Sequence, residues 1–465
     1  MLHFPVSTPT LNTIEEEPGT PVPKVILDVP GPSRTNEIKG NIQDIGEAGS
    51  LHKYLISLHR QYGPIASFWY GDTQVVSVAD PDIFQQQMHM FDKPIEFNSA
   101  YMPLLGDESI VYAKNARDRR QAYDRCFTTD RIDIYCPIFQ EAAGELVRKW
   151  REKTEGEQIH LNTDMATFSL KVILDTFFGD HFEQEEVVAA FERAYNVCWC
   201  EMESRIVEDA PPRGSDRHTK FEEAITTMKN IIKSAAMTRE LTLMEGSEEL
   251  LIDVMIEQSP NEEHLFADSL TYAVGGYHTI ANLLTWCFYY LAAHPEVQER
   301  VVREMMTVLG EAGSVSSQNV KKLEYLMQVI QETMRCAVIS PWASRYDRQD
   351  GKLGVYYIPK HTPIIQALGV VLQDENYWPD PQRFDPDRFN TATAATRPAF
   401  AFQPFGFAGD RKCPFDLFTY VETTECLLSV LRQFELQLVP GQDVHRVYGL
   451  VTHPSQNIKI TLKQR

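Results

Sequence analysis

The sequence lacks the cysteine spacing of a metal module and the cysteine density of a small secreted scaffold. Its 465 residues include 8 cysteines, no two of them in a C-x-x-C pair. A zinc module and a disulfide framework are therefore disfavoured. An excess of positive charge is missing too, because 65 acidic against 44 basic residues give a formal net charge of -21. Such a chain would repel a phosphate backbone, so we expect no nucleic acid partner.

The amino-terminal segment lacks a long apolar run. The stretch VILDV at 25–29 is far shorter than the about 20 apolar residues that span a bilayer. Seven prolines precede Thr35 and deny the segment a regular hydrogen-bonded structure. We therefore predict that residues 1–36 form an extended leader without signal peptide or membrane anchor. Residues 37–465 show no repeat and no linker, and are predicted to form one domain.

Helical periodicity dominates the rest of the chain, and strand patterns are few and short. The clearest helical patterns lie at 51–63, 219–241 and 294–310, and the clearest strand patterns at 65–71, 73–79, 355–359 and 458–464. The predicted fold class is mainly α with small peripheral β-sheets.

A charge-free stretch at 269–295 has the length of a membrane span, but its interior is polar. Gly275 and Gly276 stand beside Tyr277, His278 and Thr279, which favours a helix buried within a large domain. Each glycine weakens a helix by roughly 1 kcal/mol relative to alanine. Something should therefore approach the backbone here, and a second helix and a ligand are both open alternatives.

A buried ion pair is predicted in the apolar helix LEYLMQVIQETMRCAV. Glu332 and Arg335 stand three residues apart and share a helix face. Because unpaired charge is costly in such a helix, a third charged group should join them. Arg388, in the proline-stiffened segment WPDPQRFDPDRF, can supply it by pairing with Glu332.

Cys413 follows a glycine-rich loop and immediately precedes a helix that Pro414 suits as a first-turn residue. Backbone amides, the helix amino terminus and Arg411 should lower the pKa of this thiol. Three interpretations are open: a buried inert cysteine, a nucleophile, and a thiolate metal ligand. The nucleophile lacks a histidine placed by the sequence as its base, whereas the metal ligand needs none.

Together these segments resemble one family, the cytochrome P-450 haem-thiolate monooxygenases, over nearly everything after residue 36. The family's pattern F-x-x-G-x-R-x-C is met at Gly409, Arg411 and Cys413. Its E-x-x-R pair, its P-E-R-F segment and its central-helix pattern are met at Glu332 and Arg335, at 386–389 and at 275–279. The stretches 367–389 and 406–414 look most like the animal family-20 branch, an orphan group. The resemblance implies a cytochrome P-450 fold, with haem between a long central helix and the cysteine loop.

The resemblance also implies how haem b (iron protoporphyrin IX) is held. Cys413 would be the axial ligand, and an anionic thiolate favours O–O cleavage. Gly409 would let the backbone pass under the macrocycle, and Phe405 or Phe407 would shield the sulfur. Basic partners are implied for the two propionates, namely Arg411, Arg120 and Arg345.

On the other side of the haem, the resemblance implies that Gly275 and Gly276 leave room for dioxygen. Thr279 would hold a water or the bound oxygen species and relay protons. His278 stands where the family usually has an acidic residue, and both a proton relay and a packed histidine are open. Three further departures are Ala116 in place of tryptophan, Gly406 where phenylalanine is expected, and Phe415 in place of glycine.

Partners and location follow from the family's electron supply. The resemblance implies a monomer with NADPH-cytochrome P-450 reductase and also cytochrome b5 as partners. It implies a location at the cytosolic surface of the endoplasmic reticulum membrane, or in the cytoplasm if no anchor exists. A basic cluster is either a docking face for an acidic flavoprotein or a solvated helix face; it comprises Arg117, Arg119, Arg120, Arg125, Lys149 and Arg151.

Three functions are compatible with these residues. The first is a monooxygenase that inserts one oxygen atom from O2 into a small lipophilic substrate, with electrons from NADPH. The second keeps the fold but uses peroxide or isomerises an oxygenated substrate. The third is a haem-binding sensor or sequestering protein without turnover. The residues expected around the pocket indicate a mainly apolar cavity without an obvious charged anchor.

Overall fold

The computed structural model describes residues 28–99, 101–113, 116–154, 156–179, 182, 184–206, 208–242, 248–311 and 313–465. Most of the predicted leader, residues 1–27, lies outside the described residues. Of the remainder, Val29 is buried, and its carbonyl accepts a hydrogen bond from the Ser67 hydroxyl at 2.9 Å. The Pro30 carbonyl accepts one from the Ser67 amide at 2.7 Å. The chain is thus packed against the domain from Val29 onward.

Helices make up most of the described chain. They are α1 (Ile42–Glu47), α2 (Leu51–Tyr62), α3 (Pro81–Gln85), α4 (Ile95–Asn98), α5 (Met102–Leu105), α6 (Ala116–Asp124), α7 (Thr129–Arg151), α8 (Leu161–Phe178), α9 (Glu185–Ser204), α10 (Asp216–Thr242), α11 (Leu251–Gln258), α12 (Glu262–Ala293), α13 (Pro295–Val308), α14 (Glu324–Ala337), α15 (Leu368–Leu372), α16 (Thr391–Ala394) and α17 (Asp416–Leu431).

The strands are short and form separate small sheets. They are β1 (Ile65–Tyr70), β2 (Thr73–Val78), β3 (Ile159–His160), β4 (Ala343–Arg345), β5 (Gly351–Leu353), β6 (Tyr356–Ile358), β7 (Ile364–Gln366), β8 (Phe434–Leu438), β9 (Arg446–Tyr448), β10 (Thr452–Pro454) and β11 (Lys459–Gln464). The largest sheet has the order β1-β2-β7-β4, with β2 and β7 parallel and the other pairs antiparallel. The others are β3-β11-β8, β9-β10 and β5-β6. The predicted fold class, mainly α with small sheets, is confirmed.

Helix α12 is the centre of the larger of two hydrophobic cores. Its N-cap is Asn261, whose side-chain oxygen accepts a hydrogen bond from the His264 amide. Most of its residues are buried, as expected for a helix enclosed by other helices. Within the described residues, no helix combines the length and hydropathy needed to cross a membrane.

The second core lies between the four-stranded sheet and the helices packed on it. Helix α2 begins at Leu51, where the Ser50 side chain accepts a hydrogen bond from the Lys53 amide. It ends at Tyr62, and the next residue, Gly63, has φ +93°. Only glycine adopts that backbone angle readily, so the chain can turn there into β1. Strand β4, which belongs to this sheet, carries Arg345 to the boundary between the two cores.

Candidate functional site

The loop before α17 brings Cys413 to the wall of a cavity. The Cys413 amide donates a hydrogen bond to the Phe405 carbonyl at 2.9 Å, which closes the loop. Gly409 has φ +42°, and a Cβ there would lie 3.0 Å from the Met88 carbonyl oxygen. Both the backbone angle and the close approach require glycine at this position. The loop therefore presents a partly buried thiol at a fixed place.

The cavity has a volume of about 380 Å³ and lies between this loop and α12. Its wall is mainly apolar, as is usual for sites that bind organic molecules. The cavity is lined by, among others, Leu105, Val111, Trp199, Val274, Gly275, Thr279, Leu283, Met334, Ile339, Trp342, Phe405, Cys413 and Leu450. Among the described residues, three cationic side chains and no carboxylate line it; the cations are Lys93, Arg345 and Arg411.

The two arginines among these cations are buried, and neither has a carboxylate partner among the described residues. Arg411 donates to the carbonyls of Phe91 at 3.0 Å and Ile110 at 2.7 Å. Arg345 donates through Nη1 to the Ser344 carbonyl at 2.6 Å, while its Nε has no partner. Burial, with the neighbouring cations second, lowers the pKa of Arg411 to about 9 and that of Arg345 to about 10. A buried arginine without counter-charge is costly, so this edge of the cavity fits an anionic group.

Arg120 adjoins the same edge from α6. Its Nε lies 2.5 Å from the Asp124 carboxylate, and its Nη2 donates to the Lys412 carbonyl at 2.6 Å. It therefore holds the residue next to Cys413 and adds positive charge beside Arg345 and Arg411. Taken together, a thiol and two buried guanidinium groups without a carboxylate partner among the described residues fit haem, whose iron needs a thiolate ligand and whose propionates need cations.

The expected lowering of the Cys413 pKa is wrong for the cofactor-free protein. Burial dominates and raises the pKa of Cys413 to about 11. A hydrogen bond from the Phe415 amide and the charges of Arg120 and Lys412 offset this only in part. A coordinated metal ion would instead lower the pKa of Cys413, because a coordinating thiol loses its proton.

The two glycines of α12 face different neighbours. Gly275 lines the cavity, and a Cβ there would lie 3.7 Å from the Phe415 ring. Gly276 faces α8 instead, where a Cβ would lie 2.6 Å from Ile173 Cδ1. The expectation that Gly276 leaves room for dioxygen is therefore wrong, since close packing of a neighbouring helix explains it. Room on the cavity side is provided by Gly275.

Thr279 lines the cavity, as the resemblance implied, and its hydroxyl donates to the Gly275 carbonyl at 2.9 Å. That bond leaves the oxygen lone pairs available as acceptors. His278, the preceding residue, stacks on the rings of Trp199 and Tyr195 of α9, which also stack on each other. Burial lowers the pKa of His278 to about 4, so the ring is neutral near pH 7. Of the two open alternatives, the structure places it as a packed histidine.

The two phenylalanines expected to shield the sulfur lie in different parts of the structure. Phe405 lines the cavity beside Cys413. Phe407 is buried in the second core, with its ring centroid 5.0 Å from that of Phe84, and does not line the cavity. Only Phe405 is therefore placed to shield the sulfur. Phe415 points into an aromatic cluster, 4.8 Å from the ring of Phe127 and 5.6 Å from that of Phe177.

The predicted ion pair near the cysteine loop forms, and Arg388 joins it. Arg335 contacts the Glu332 carboxylate with both Nε (2.7 Å) and Nη2 (2.8 Å), and both side chains are fully buried. Arg388 Nε lies 3.3 Å from Glu332 Oε1. Arg335 Nη1 also donates to the carbonyls of Leu372 and Pro381. The triad thus joins α14 to the segment after α15.

Asp268 on α12 organises a buried network that the sequence did not reveal. Its carboxylate accepts hydrogen bonds from Arg119 Nε at 2.8 Å, the Tyr123 hydroxyl at 2.7 Å and the Ile110 amide at 2.7 Å. The Ile110 carbonyl in turn accepts from Arg411 Nη1. One carboxylate therefore connects the central helix, α6 and the loop of Cys413. No motif marks Asp268, because its partners are distant in sequence.

The basic cluster offered as a docking face is largely neutralised. Arg119 and Arg120 point inward, as described above. Arg125 pairs with Glu249 and Glu257, and Lys149 pairs with Asp164. Arg151 donates to the Gln433 side chain. The ion pairs, though not the contact of Arg151 with neutral Gln433, lower the positive charge that the cluster presents to solvent.

Comparison with known proteins gives one family. A family model described as Cytochrome P450 matches residues 30–462. The chain is 32% identical to Cytochrome P450 20A1 of Rattus norvegicus over 448 residues, which cover 96% of this chain and 95% of that protein. It is 28% identical to Cytochrome P450 20A1 of Homo sapiens over 445 residues, covering 96% and 95%. Cytochrome P450 3A5 of Homo sapiens is 23% identical over 446 residues, covering 88% and 86%.

Proposed function

Because this chain belongs to the cytochrome P450 family of haem-dependent monooxygenases, we propose that it inserts one oxygen atom from O2 into a small lipophilic organic substrate. The observation that carries the proposal is the position of Cys413. Its thiol lines one side of the cavity, and Thr279 and Gly275 line it from α12. A group bound to that sulfur would therefore meet substrate in an enclosed, mainly apolar space.

The residues that would hold haem b follow from the site. Cys413 would bind the iron and Phe405 would shield the sulfur. Gly409 would let the loop pass close to the haem. Arg411, Arg345 and Arg120 would hold the propionates. In support of this assignment, among the described residues Arg345 Nε has no partner, and the hydrogen bonds of Arg411 go to backbone carbonyls only. When bound, haem supplies the oxygen-activating chemistry.

The chain's own contribution is to exclude water and to move protons. The apolar wall keeps bulk water away from the reacting substrate. The Thr279 hydroxyl, which donates to the Gly275 carbonyl, would accept a hydrogen bond from a water molecule and orient that water to donate its other proton into the cavity. His278 would act by packing, because its ring stacks on those of Trp199 and Tyr195.

Electrons would come from NADPH through NADPH-cytochrome P-450 reductase, with cytochrome b5 as a second donor and the chain a monomer. We place it on the cytosolic face of the endoplasmic reticulum membrane or in the cytoplasm. Family membership supports the reductase, since P450 enzymes in general use redox partners. The exposed atoms of Arg125 and Lys149 would then form part of the contact with the reductase.

A second function, a haem-binding sensor without turnover, is favoured by one observation. His278 replaces the usual acid and is neutral and packed, which removes one titratable group from the proton path. The peroxide-using or isomerising alternative shares this motivation, since neither reaction needs the full proton delivery of oxygen activation.

The test is the reduced carbon-monoxide difference spectrum of the purified protein beside Cys413→Ala, followed by product formation with NADPH and reductase. We expect the long-wavelength Soret band of thiolate-ligated haem, lost in the variant, and NADPH-dependent oxygenated product. A thiolate spectrum without NADPH-dependent product would favour the sensor, and product with peroxide alone would favour the peroxide-using alternative. A spectrum indifferent to Cys413→Ala would overturn the assignment of the ligand.

A further inference from the structure

One wall of the cavity is made by two segments that are far apart in sequence. Ile339 and Ser340 follow helix α14, whereas Leu450 and Val451 lie in the turn between β9 and β10, residues 449–451. All four residues line the cavity. The shape that this wall offers to a bound molecule therefore depends on how the two segments are held against each other.

Thr452, the first residue of β10, connects the two segments. Its hydroxyl donates a hydrogen bond to the Val338 carbonyl at 2.6 Å, and its amide donates to the Ile339 carbonyl at 3.0 Å. The Thr452 side chain is fully buried and lies behind the wall rather than in it. Arg446 of β9 donates to a third carbonyl, that of Cys336. The hairpin thus binds the end of α14, where a helix leaves its last carbonyls without partners.

The residue that accepts the bond from the hydroxyl has a strained backbone. Val338 has φ +55° and ψ +53°, the left-handed conformation that a β-branched residue rarely adopts. It ends α14 and turns the chain, and the next two residues reach the cavity. Such strain persists only where surrounding contacts hold it, and it is common at ligand-binding sites. The bond from Thr452 is one of the contacts that hold Val338.

The turn is held more weakly on its other side, by Glu203 of α9. The Glu203 carboxylate accepts a hydrogen bond from the Leu450 amide at 3.3 Å. Gly449 is packed so closely on this carboxylate that a Cβ there would clash with Glu203 Oε1. The bond to Glu203 is longer than both bonds of Thr452 and is therefore the weaker contact. The position of Leu450 and Val451 is thus set mainly by α14.

We propose that Thr452 is a positioning residue that sets the selectivity of the cavity, because its hydroxyl fixes the turn 449–451 against Ile339. This inference rests on the proposed function, since it concerns the substrate cavity of the same site. A preorganised wall loses little entropy when a ligand packs on it. Without the hydroxyl bond, the ligand itself would have to order the wall, so apolar rings that touch the wall would bind less tightly.

The experiment compares the affinity of haem-loaded protein for imidazole and for 4-(biphenyl-4-yl)imidazole, read as the Soret shift that nitrogen ligation of the iron causes. The ratio of the two dissociation constants reports how much the two added rings gain from the cavity wall. Thr452→Val has nearly the same shape but no hydroxyl, and we expect it to reduce this ratio by about three- to tenfold, the range for one hydrogen bond. Imidazole alone should bind as in wild type. Thr452→Ser keeps the hydroxyl and should retain most of the ratio.

Thr423→Val is the matched control. Thr423 on α17 is equally buried, and its hydroxyl has no partner among the described residues. Its loss should leave the affinity for both probes unchanged. Hydrogen exchange of the backbone amides at 448–453 shows whether the turn is loosened while the domain stays folded. We expect exchange there to be about three- to tenfold faster in Thr452→Val, with α12 as in wild type.

An unchanged ratio of affinities together with faster exchange would overturn the proposal, because the bond would then serve stability alone. A loss of haem, or an equal change in the affinity for imidazole, would also overturn it, since Thr452 would then act on the haem rather than on the wall. The proposed function fails separately. A reduced ratio in Thr452→Val, with no NADPH-dependent product from wild type, would keep Thr452 as a determinant of binding in a haem protein without turnover.

Discussion

The imidazole of His278 lies flat against the indole of Trp199, with ring centroids 4.3 Å apart and ring planes 14° from parallel. Tyr195 stacks on the same imidazole at 5.9 Å. His278 is on α12 and the two aromatic residues are on α9, so the contact holds these helices together beside the cavity. Trp199 also lines the cavity. The residue that replaces the usual acid thus supports part of the cavity wall.

Substitution of His278 should reveal a packing role rather than proton transfer. We expect His278→Ala to lower the free energy of unfolding by about 1–2 kcal/mol, because an aromatic contact and its buried area are lost. His278→Phe keeps a flat ring on Trp199 and should stay within about 0.5 kcal/mol of wild type. Urea unfolding of the haem-loaded protein measures both. Equal loss of NADPH-dependent product in the two variants would instead indicate a proton relay.

Phe415 should stabilise the domain although the family usually has glycine there. Its ring is buried between Phe127, Phe177 and Tyr272. We expect Phe415→Ala to lower the free energy of unfolding by about 3–5 kcal/mol, as is usual for deletion of a buried aromatic ring. Tyr357→Ala, at a ring that is 41% exposed, is the control. Denaturant unfolding compares the two, and similar midpoints would contradict the packing role of Phe415.

The buried triad predicts a large effect of one neutral substitution. Glu332→Gln would leave Arg335 and Arg388 without their shared counter-charge, so we expect a loss of about 3–5 kcal/mol in unfolding free energy. Asp216→Asn breaks an exposed ion pair with Lys220, whose N–O distance is 2.8 Å, and should lower stability far less, because solvent screens the pair. Thermal unfolding of both variants gives the comparison. A Glu332→Gln protein as stable as Asp216→Asn would show that the triad contributes little.

His52 should make stability fall in acid. It is buried, and neither ring nitrogen has a hydrogen-bond partner among the described residues. Burial, with Arg446 and Lys53 adding to it, lowers the pKa of His52 to about 3. An unfolded histidine titrates near about 6.5. Between these values the unfolded chain binds a proton that the folded chain does not, so stability falls as pH falls, by up to about 1.4 kcal/mol per pH unit.

The measurement is the melting temperature at several pH values from neutral to moderately acidic. His52→Leu should flatten the slope. His445→Leu, at an exposed histidine, should leave it as in wild type. An unchanged slope in His52→Leu would show that other groups govern the acid response.

The family and fold class were predictable because local patterns carry them. The loop around Cys413 and the pair Glu332 and Arg335 are set by spacing along one segment, and belonging to the family, including similarity to the family-20 branch, is confirmed. Strand patterns of seven residues at 65–71, 73–79 and 458–464 correspond to the six-residue strands β1, β2 and β11. The pattern at 355–359 contains the three-residue strand β6, whereas β4 and β7, which are equally short, were not predicted.

Two features could not be predicted from the sequence: the direction in which a residue faces, and the contacts between residues far apart in the chain. Adjacent glycines look alike in sequence, yet Gly275 faces the cavity and Gly276 faces α8. Phe407 lies close to Cys413 in sequence but packs into the other core. Lys93 carries no motif, and only the folded chain brings it beside Arg345. These differences arise from tertiary packing, which the spacing of residues does not encode.

Asp268 has a consequence for inherited variation in this chain. Its carboxylate binds α6, the Ile110 amide and, through Ile110, the arginine beside Cys413. Its replacement by a neutral residue would leave buried Arg119 without this counter-charge, which costs about 3–5 kcal/mol. That is a large share of the about 5–15 kcal/mol by which a domain is stable. Cells remove such weakened proteins, so carriers would have less of the protein rather than a protein with altered selectivity.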